Sequence, residues 1–265
     1  MRIASLNAWG GQIWPALGSW AGNVRADVLS LQEVIRPAEP SPPWLAYSDP
    51  NRTLNQRADL FEDISARIPN HAGTFLCAVE GPLKDTTGKT YRSEHGLAQW
   101  IGENHVVDAR SDGFVHGAFR KDGWGAEPVP RAFQSVRLHP EGRKRPLTVA
   151  HFHGLRDPDG KHDTTARAAQ ARQAILLLSK ITKPEDDVIL SGDFNILPTS
   201  ECFEIFARWG LQDLVGEMDT RTTLYPKPVR HANYMLVTPS VRVTSFDAPA
   251  NPVVSDHRPL ILEIE

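Results

Sequence analysis

The chain has 265 residues, 29 Lys and Arg against 32 Asp and Glu, and two cysteines; 40% of residues are apolar and 23% charged. A formal charge of −3 excludes a protein that coats polyanions over its whole surface, because that binding is driven by neutralising phosphates. Cys77 and Cys202 stand alone with no CxxC or Cys/His cluster, so neither a disulfide framework nor a structural zinc ribbon is expected.

In chain order, strands are expected at 2–7 and 26–31. The segment 36–50, with five of the 21 prolines (37, 40, 42, 43 and 50), reads as a loop. A helix is expected over roughly 54–68, strands at 73–79 and 96–101, a loop rich in Gly, Pro and charge at 120–131, and a strand at 133–138. Leu147 to Phe152 is apolar and β-branched between Pro146 and Gly154, and reads as a buried strand. A helix follows at 164–182, capped by Thr164 or Thr165, with Ala168, Ala171, Ile175, Leu178 and Ile181 at three- and four-residue steps. Asp187 to Ser191 forms a strand stopped by Gly192, and a helix runs from near Ser200 to Gly210. Asn233–Val237, the turn Thr238-Pro239-Ser240 and Val241–Thr244 read as a hairpin, and 259–264 as a closing strand. The loops are too short to link domains, so 1–265 reads as one α/β domain with mixed sheets and helices on the outer faces.

Polar clusters sit where apolar strands end: Asn7, Gln32-Glu33, His151-Phe152-His153, Asp193-Phe194-Asn195 and Ser255-Asp256-His257. Strands of a sandwich that end in carboxylate, amide and imidazole converge on one rim, where a ligand site is expected. Asn7, Glu33 and Asp256 are hard oxygen ligands suited to Mg²⁺ or Mn²⁺. If 193–195 stays extended, Asp193 and Asn195 project to one side. A carboxylate there orients or deprotonates a water, the amide donates to a phosphoryl oxygen, and His153 and His257 donate to the same phosphate. Together these residues describe metal-assisted attack of water on a phosphoester.

In this order the motifs resemble the endonuclease/exonuclease/phosphatase superfamily of DNase I-like nucleases, phosphatases and sphingomyelinases. The likeness rests on Ser5-Leu6-Asn7, Leu31-Gln32-Glu33, Ser191-Gly192-Asp193-Phe194-Asn195 and Ser255-Asp256-His257-Arg258-Pro259-Leu260. His151-Phe152-His153-Gly154-Leu155 is similar to the family's strand end, and Lys161, Asp163, Thr164, Arg167 and Gln170 to its following loop and helix. The resemblance implies a four-layer α/β sandwich of two mixed sheets with outer helices. It also implies that Asn7, Glu33 and Asp256 hold the divalent metal and Asp193 positions the water. Asn195, His153 and His257 would grip the phosphate or serve the leaving group.

Two positions depart from the family pattern. His151 stands where Asn is usual, and reads as a structural histidine in preference to a second phosphate donor. Asn233 stands where the family typically has an Asp that accepts from the terminal histidine, here His257; Asn233 can accept but brings no charge. Two readings stand for this swap: a lower pKa and a neutral donor role for His257, or an Asn-bearing subgroup whose active site tolerates the change.

The substrate must be read from loops. The leading expectation is a Mg²⁺-dependent phosphodiesterase acting on DNA or RNA, endo or exo; the second is hydrolysis of a small phosphoester or phospholipid head group. A non-catalytic module on the same scaffold is disfavoured by the intact motifs. Arg143-Lys144-Arg145 reads as a solvated turn, Arg221 or Lys227 as possible phosphate contacts, and Trp9 and Trp124 as residues for base stacking or for packing under a loop. Neither an apolar hairpin nor a basic amphipathic helix suggests membrane insertion. With Met1 opening directly into a strand, a cytoplasmic monomer is expected.

Overall fold

The structure, a computed structural model, describes residues 1–49, 52–121, 123, 129–157 and 160–265. Pro50 and Trp124 lie outside them. The elements are β1 (Arg2–Asn7), α1 (Ala16–Asn23), β2 (Val28–Pro37), β3 (Trp44–Asp49), β4 (Arg52–Arg57), α2 (Leu60–Ser65), β5 (His71–Lys84), β6 (Thr90–Gly102), β7 (Val106–His116), β8 (Arg131–His139), β9 (Leu147–His153), α3 (Thr165–Ser179), β10 (Asp187–Asp193), α4 (Cys202–Arg208), β11 (Gln212–Asp213), β12 (Asn233–Val237), β13 (Val243–Asp247) and β14 (Leu260–Ile264).

They form an eight-stranded sheet, β13-β14-β1-β2-β6-β5-β3-β4, and a six-stranded sheet, β11-β12-β10-β9-β8-β7. Each holds one parallel pair, β1–β2 and β9–β10, among antiparallel neighbours. Alternation along the strands sets the layers. In β1 and β2, Ile3 and Val28 join the core cluster that reaches into the second sheet. Ala4, Leu6, Leu29 and Leu31 instead pack with Leu17, Trp20, Leu60 and Ile64 of α1 and α2. On the far side, Phe152 and Phe194 stack at 4.3 Å, and Phe206 of α4 lies 5.6 Å from Phe194. The result is the expected helix–sheet–sheet–helix sandwich.

Several boundaries differ from expectation. The segment 44–57 is a strand pair, because Trp44 to Asp49 pairs residue by residue with Arg57 to Arg52; the helix expected from 54 shrinks to α2, whose cap Asp59 accepts from Glu62 N–H at 3.2 Å. β7 was unpredicted: it is a largely exposed edge strand with two register shifts, and carries no apolar alternation to read. α1, ALGSWAGN, has weak helix formers and forms over an apolar sheet face. The expected hairpin at 233–244 does not form. β12 pairs with β10 and β11 while β13 pairs with β14, so the 238–242 turn carries the chain from one sheet to the other. Thr164 is the α3 cap, accepting from Arg167 N–H at 3.2 Å.

Candidate active site

The parallel strands of both sheets end on one rim. Asn7 closes β1, His153 closes β9 and Asp193 closes β10; Asn233 opens β12 directly opposite Asp193 in the antiparallel register. Glu33 departs from the expected strand end: β2 continues to Pro37, and Glu33 sits in a bulge between Gln32 and Val34 with φ +56°. The bulge re-aims its side chain at the rim. Asn195 also departs from the extended segment expected. Its φ is +56°, so the chain turns after Asp193, and Nδ2 donates to the Gly154 carbonyl at 3.4 Å, beside His153.

Two glycines make this turn possible. A Cβ on Gly192, at φ +138°, would lie 2.0 Å from the Phe152 carbonyl oxygen, and one on Gly154 would lie 2.2 Å from that of Phe194. The backbones of β9 and β10 therefore approach too closely for any side chain at these points.

Asn7, fully buried, ties the two sheets together: its Nδ2 donates at 2.9 Å to Glu33 Oε1 and at 2.9 Å to Asp193 Oδ2. Its Oδ1 accepts from Trp9 N–H at 3.0 Å, which fixes the amide's orientation. His153 Nε2 lies 3.9 Å from Glu33 and 3.8 Å from Asp193; His257 Nε2 lies 3.5 Å from Asp193 and 3.6 Å from Asp256 Oδ1. The 255–258 loop is held by Ser255 Oγ donating to the Asn7 carbonyl at 2.7 Å and by a bridge between His257 and Arg221.

Asn7, Glu33, His153, Asp193, Asn195, Asn233, Asp256 and His257 all lie on this rim. Arg221, expected as a possible phosphate contact, joins them with others. Arg221 is 5% exposed; its Nη1 donates to Asp256 Oδ2 at 2.9 Å and contacts His257 Nε2. Lys161 donates from Nζ to the His231 carbonyl and acts electrostatically on Asp193. His95 of β6 and Arg131 of β8 were missed. Arg131 Nη1 lies 3.4 Å from His153 Nδ1, and both His95 and His153 act on the Glu33 charge. Neither belongs to a motif; only the β2–β6 and β8–β9 pairings bring them here.

Burial sets the electrostatics. It works against the Asp193 carboxylate, but His257, Arg221, Lys161 and the Asn7 amide outweigh it and hold Asp193 below the usual range, so it is ionised. Burial likewise opposes Glu33, and His153 and His95 prevail. At Asp256 burial wins: with Glu33 and Asp193 nearby, its pKa rises to about 7 despite Arg221. Burial lowers Lys161 to about 8 and pushes His153 and His257 well below the ordinary imidazole value.

His151 has a structural role. Its Nδ1 accepts from Gln32 Nε2 at 3.1 Å and its Nε2 donates to Gln134 Oε1 at 3.1 Å, pinning one sheet to the other beneath the site. The loop-and-helix motif is structural too, apart from Lys161. Asp163 accepts from Glu201 N–H at 2.9 Å, Arg167 Nη2 donates to the Gly160 carbonyl at 2.7 Å, and Gln170 Oε1 accepts from Leu155 N–H at 2.7 Å.

The donor chemistry fits a hard divalent cation. Glu33 and Asp256 offer carboxylate oxygens, and Asp256, raised first by burial, also feels the charges of Glu33 and Asp193. Among the described residues no group of three His, Cys, Asp or Glu could hold a metal ion. Two carboxylates and the Asn7 oxygen, completed by water, are the sparse protein contribution that Mg²⁺ commonly takes.

A two-sheet sandwich whose rim gathers ionised carboxylates, amides and imidazoles defines a hydrolase scaffold for phosphoesters. Residues 4–257 match the model of the Endonuclease/Exonuclease/phosphatase family, and the chain belongs to that family, whose members are phosphoester hydrolases that generally use divalent metals. No curated protein matches it by sequence. Solved structures with the same fold include a mannosyl-6-phosphatase of Bacteroides thetaiotaomicron, with a TM-score of 0.70 at 16% identity over 100% of this chain and 99% of that one. The human Nocturnin catalytic domain with bound sulfate superposes with a TM-score of 0.65 at 18% identity, covering 100% and 93% of the two chains. D. rerio TDP2 complexed with a single-strand DNA product gives a TM-score of 0.66 at 14% identity, covering 100% and 98%. No helix among the described residues is long and apolar enough to cross a membrane.

Proposed function

We propose that this chain is a divalent-metal-dependent phosphoester hydrolase whose substrate enters as a compact phosphoester. The observation that carries the reading is the Asn7 amide, which binds a carboxylate suited to metal (Glu33) and one suited to water (Asp193) at 2.9 Å each. Glu33, Asp256 and the Asn7 oxygen would hold Mg²⁺ or Mn²⁺, which when bound would draw charge from the phosphoryl oxygens. Asp193, ionised and fixed by Asn7, orients the attacking water; His153 and Asn195 stand beside it to meet the phosphate.

Enclosure supports the compact substrate. Asn7, Asp193 and His257 are 0, 2 and 3% exposed, and the Glu33 side chain is 27% exposed. The basic 143–145 cluster is turned to structure, with Arg143 and Arg145 on Asp187 at 2.7 and 2.9 Å. Asp187 and Asp193 stand at opposite ends of β10, about 20 Å apart at ~3.3 Å per residue.

One observation favours a nucleic-acid end instead. The Arg57 guanidinium, held by Asp63 at 2.7 and 3.0 Å, lies 5.0 Å from the Trp44 ring and 5.4 Å from the Trp14 ring. Arg67 lies 5.4 Å from Trp14, and the Arg57 stem packs on Gly11 just beyond Asn7.

The test is a hydrolysis panel of sugar phosphates, nucleotides, inositol phosphates, single-stranded DNA and RNA with Mg²⁺ or Mn²⁺, using wild type beside Glu33→Ala across a salt series. Turnover of small phosphoesters, nearly insensitive to salt and lost in Glu33→Ala, is expected. Turnover confined to nucleic acid and falling steeply with salt would replace the compact substrate with a strand end. No turnover of anything would sink the hydrolase reading.

A further inference from the structure

Hydrogen-bond directions around His257 reassign the cation of this site. Asn233 Nδ2 donates to the Arg258 carbonyl at 3.2 Å, so its Oδ1 faces His257 Nδ1, 2.6 Å away. An amide oxygen only accepts, so the hydrogen sits on Nδ1 of His257. His257 Nε2, which faces the rim, then presents a lone pair, and it meets an N–H of Arg221.

Arg221 is built into place. Its backbone N–H donates to Asp219 at 2.8 Å, and its carbonyl accepts from Arg230 at 2.9 Å and from Arg258 at 3.0 Å. Both of those arginines are anchored on Asp219, at 3.2 and 3.0 Å. The guanidinium lies 3.9 Å from the Tyr225 ring. Only Nη1 is engaged by side chains. Nε is buried without a hydrogen-bond partner among the described residues, and no hydrogen bond there involves Nη2. A cation fixed this firmly, with donors unspent beside Asp193 and Asp256, is placed for a planar, anionic oxygen group.

We propose that Arg221 is a catalytic residue that grips the phosphoryl group, with His257 and Asp256 holding the guanidinium by accepting from it. His257 is then a positioning residue, and the fixed positive charge of the leaving side comes from arginine. Asn233 and Arg221 act as a matched pair: a neutral amide orients the ring, and a guanidinium supplies the charge. The proposal rests on the phosphoester reading above.

The experiment titrates inorganic phosphate into the full chain, with and without Mg²⁺, by calorimetry for wild type, Arg221→Gln and Arg221→Lys. Melting temperatures and the ¹⁵N spectrum of His257 are recorded alongside. Wild type should bind phosphate, Arg221→Gln should bind it about ten- to a hundredfold more weakly, and Arg221→Lys should recover part of the loss. The His257 spectrum should show hydrogen on Nδ1 alone. Equal phosphate affinity in wild type and Arg221→Gln overturns the proposal and leaves the phosphoester reading standing. Absence of phosphate binding to wild type overturns both. If Arg221→Gln does not fold, the Lys variant and the spectrum decide; hydrogen on His257 Nε2 in the phosphate-bound wild type overturns the assignment.

Discussion

Asn233 Oδ1 and His257 Nδ1 lie 2.6 Å apart, a neutral amide against an imidazole that is 3% exposed. The contact orients the ring without adding charge. Burial, with Arg221 beside it, keeps His257 well below the ordinary value. Asn233→Asp puts a carboxylate at hydrogen-bond distance, and an opposite charge this close raises a pKa by about one to three pH units. The His257 titration followed by NMR should move up toward neutral, and a limb of the pH–rate profile should move with it. Unmoved limbs and an unmoved titration would refute the charge argument.

His151, pinned between Gln32 and Gln134, has its pKa lowered by burial to about 3. The unfolded chain takes up this proton near pH 6.5 and the folded chain does not until about 3. Stability tied to this residue is therefore present above about pH 6.5 and is lost as pH falls toward 3, at about 1.4 kcal/mol per pH unit at most. His151→Gln keeps a donor and an acceptor between the two glutamines. Urea unfolding of the variant should show stability rising relative to wild type as pH falls from 6 to 4, since the opposite slope of Asp256 is then unopposed. Parallel curves would contradict the role.

The rim was legible because its motifs consist of residues that the site needs as chemistry or as geometry. Gly192-Asp193-Phe194-Asn195 shows both: Gly192 for backbone contact, Asp193 for charge, Phe194 for the core, and Asn195 after a left-handed turn. His95, Arg131 and Arg221 were harder, since each arrives through pairing between distant segments, and single basic residues on a half-buried strand or loop have no local signature. The position of Glu33 was read and its conformation was not, because the polar pair Gln32-Glu33 reads equally well as a strand end and as a bulge inside β2. β3 and β4 were hidden by the prolines that precede and separate them.

Gly192→Ala tests the close approach of β9 and β10. The added Cβ would meet the Phe152 carbonyl oxygen at 2.0 Å in a backbone region unfavourable to alanine. The backbone must shift, at a cost of about 3 kcal/mol or more. Calorimetry should show a melting temperature lower by roughly 6–12 °C, or failure to fold. Hydrolysis should fall even at temperatures where the variant stays folded, because Asp193 is the next residue. A melting temperature within a degree of wild type would mean the two strands part freely.

Asp256→Asn separates stability from function at one residue. Burial, with Glu33 and Asp193 adding repulsion, raises Asp256 from 3.8 to about 7. The metal-free folded state then binds this proton over a range where the unfolded chain has released it, so this contribution to stability falls as pH rises from about 4 to about 7. The sign is opposite to that of His151 and the windows overlap, so wild type shows little net slope from the two and the single variants expose each. Asn is close in shape and needs no cation. Asp256→Asn should therefore be more stable than wild type near pH 7 when both are metal-free. Its stability should climb from pH 4 to about 6.5 where that of wild type stays nearly flat, because the His151 slope is left unopposed. Adding Mg²⁺ should raise the melting temperature of wild type more than that of the variant, and hydrolysis by the variant should drop by about a hundredfold or more. A variant less stable at pH 7 without metal would show that the Arg221 ion pair at 2.9 Å outweighs the cost of burying the carboxylate.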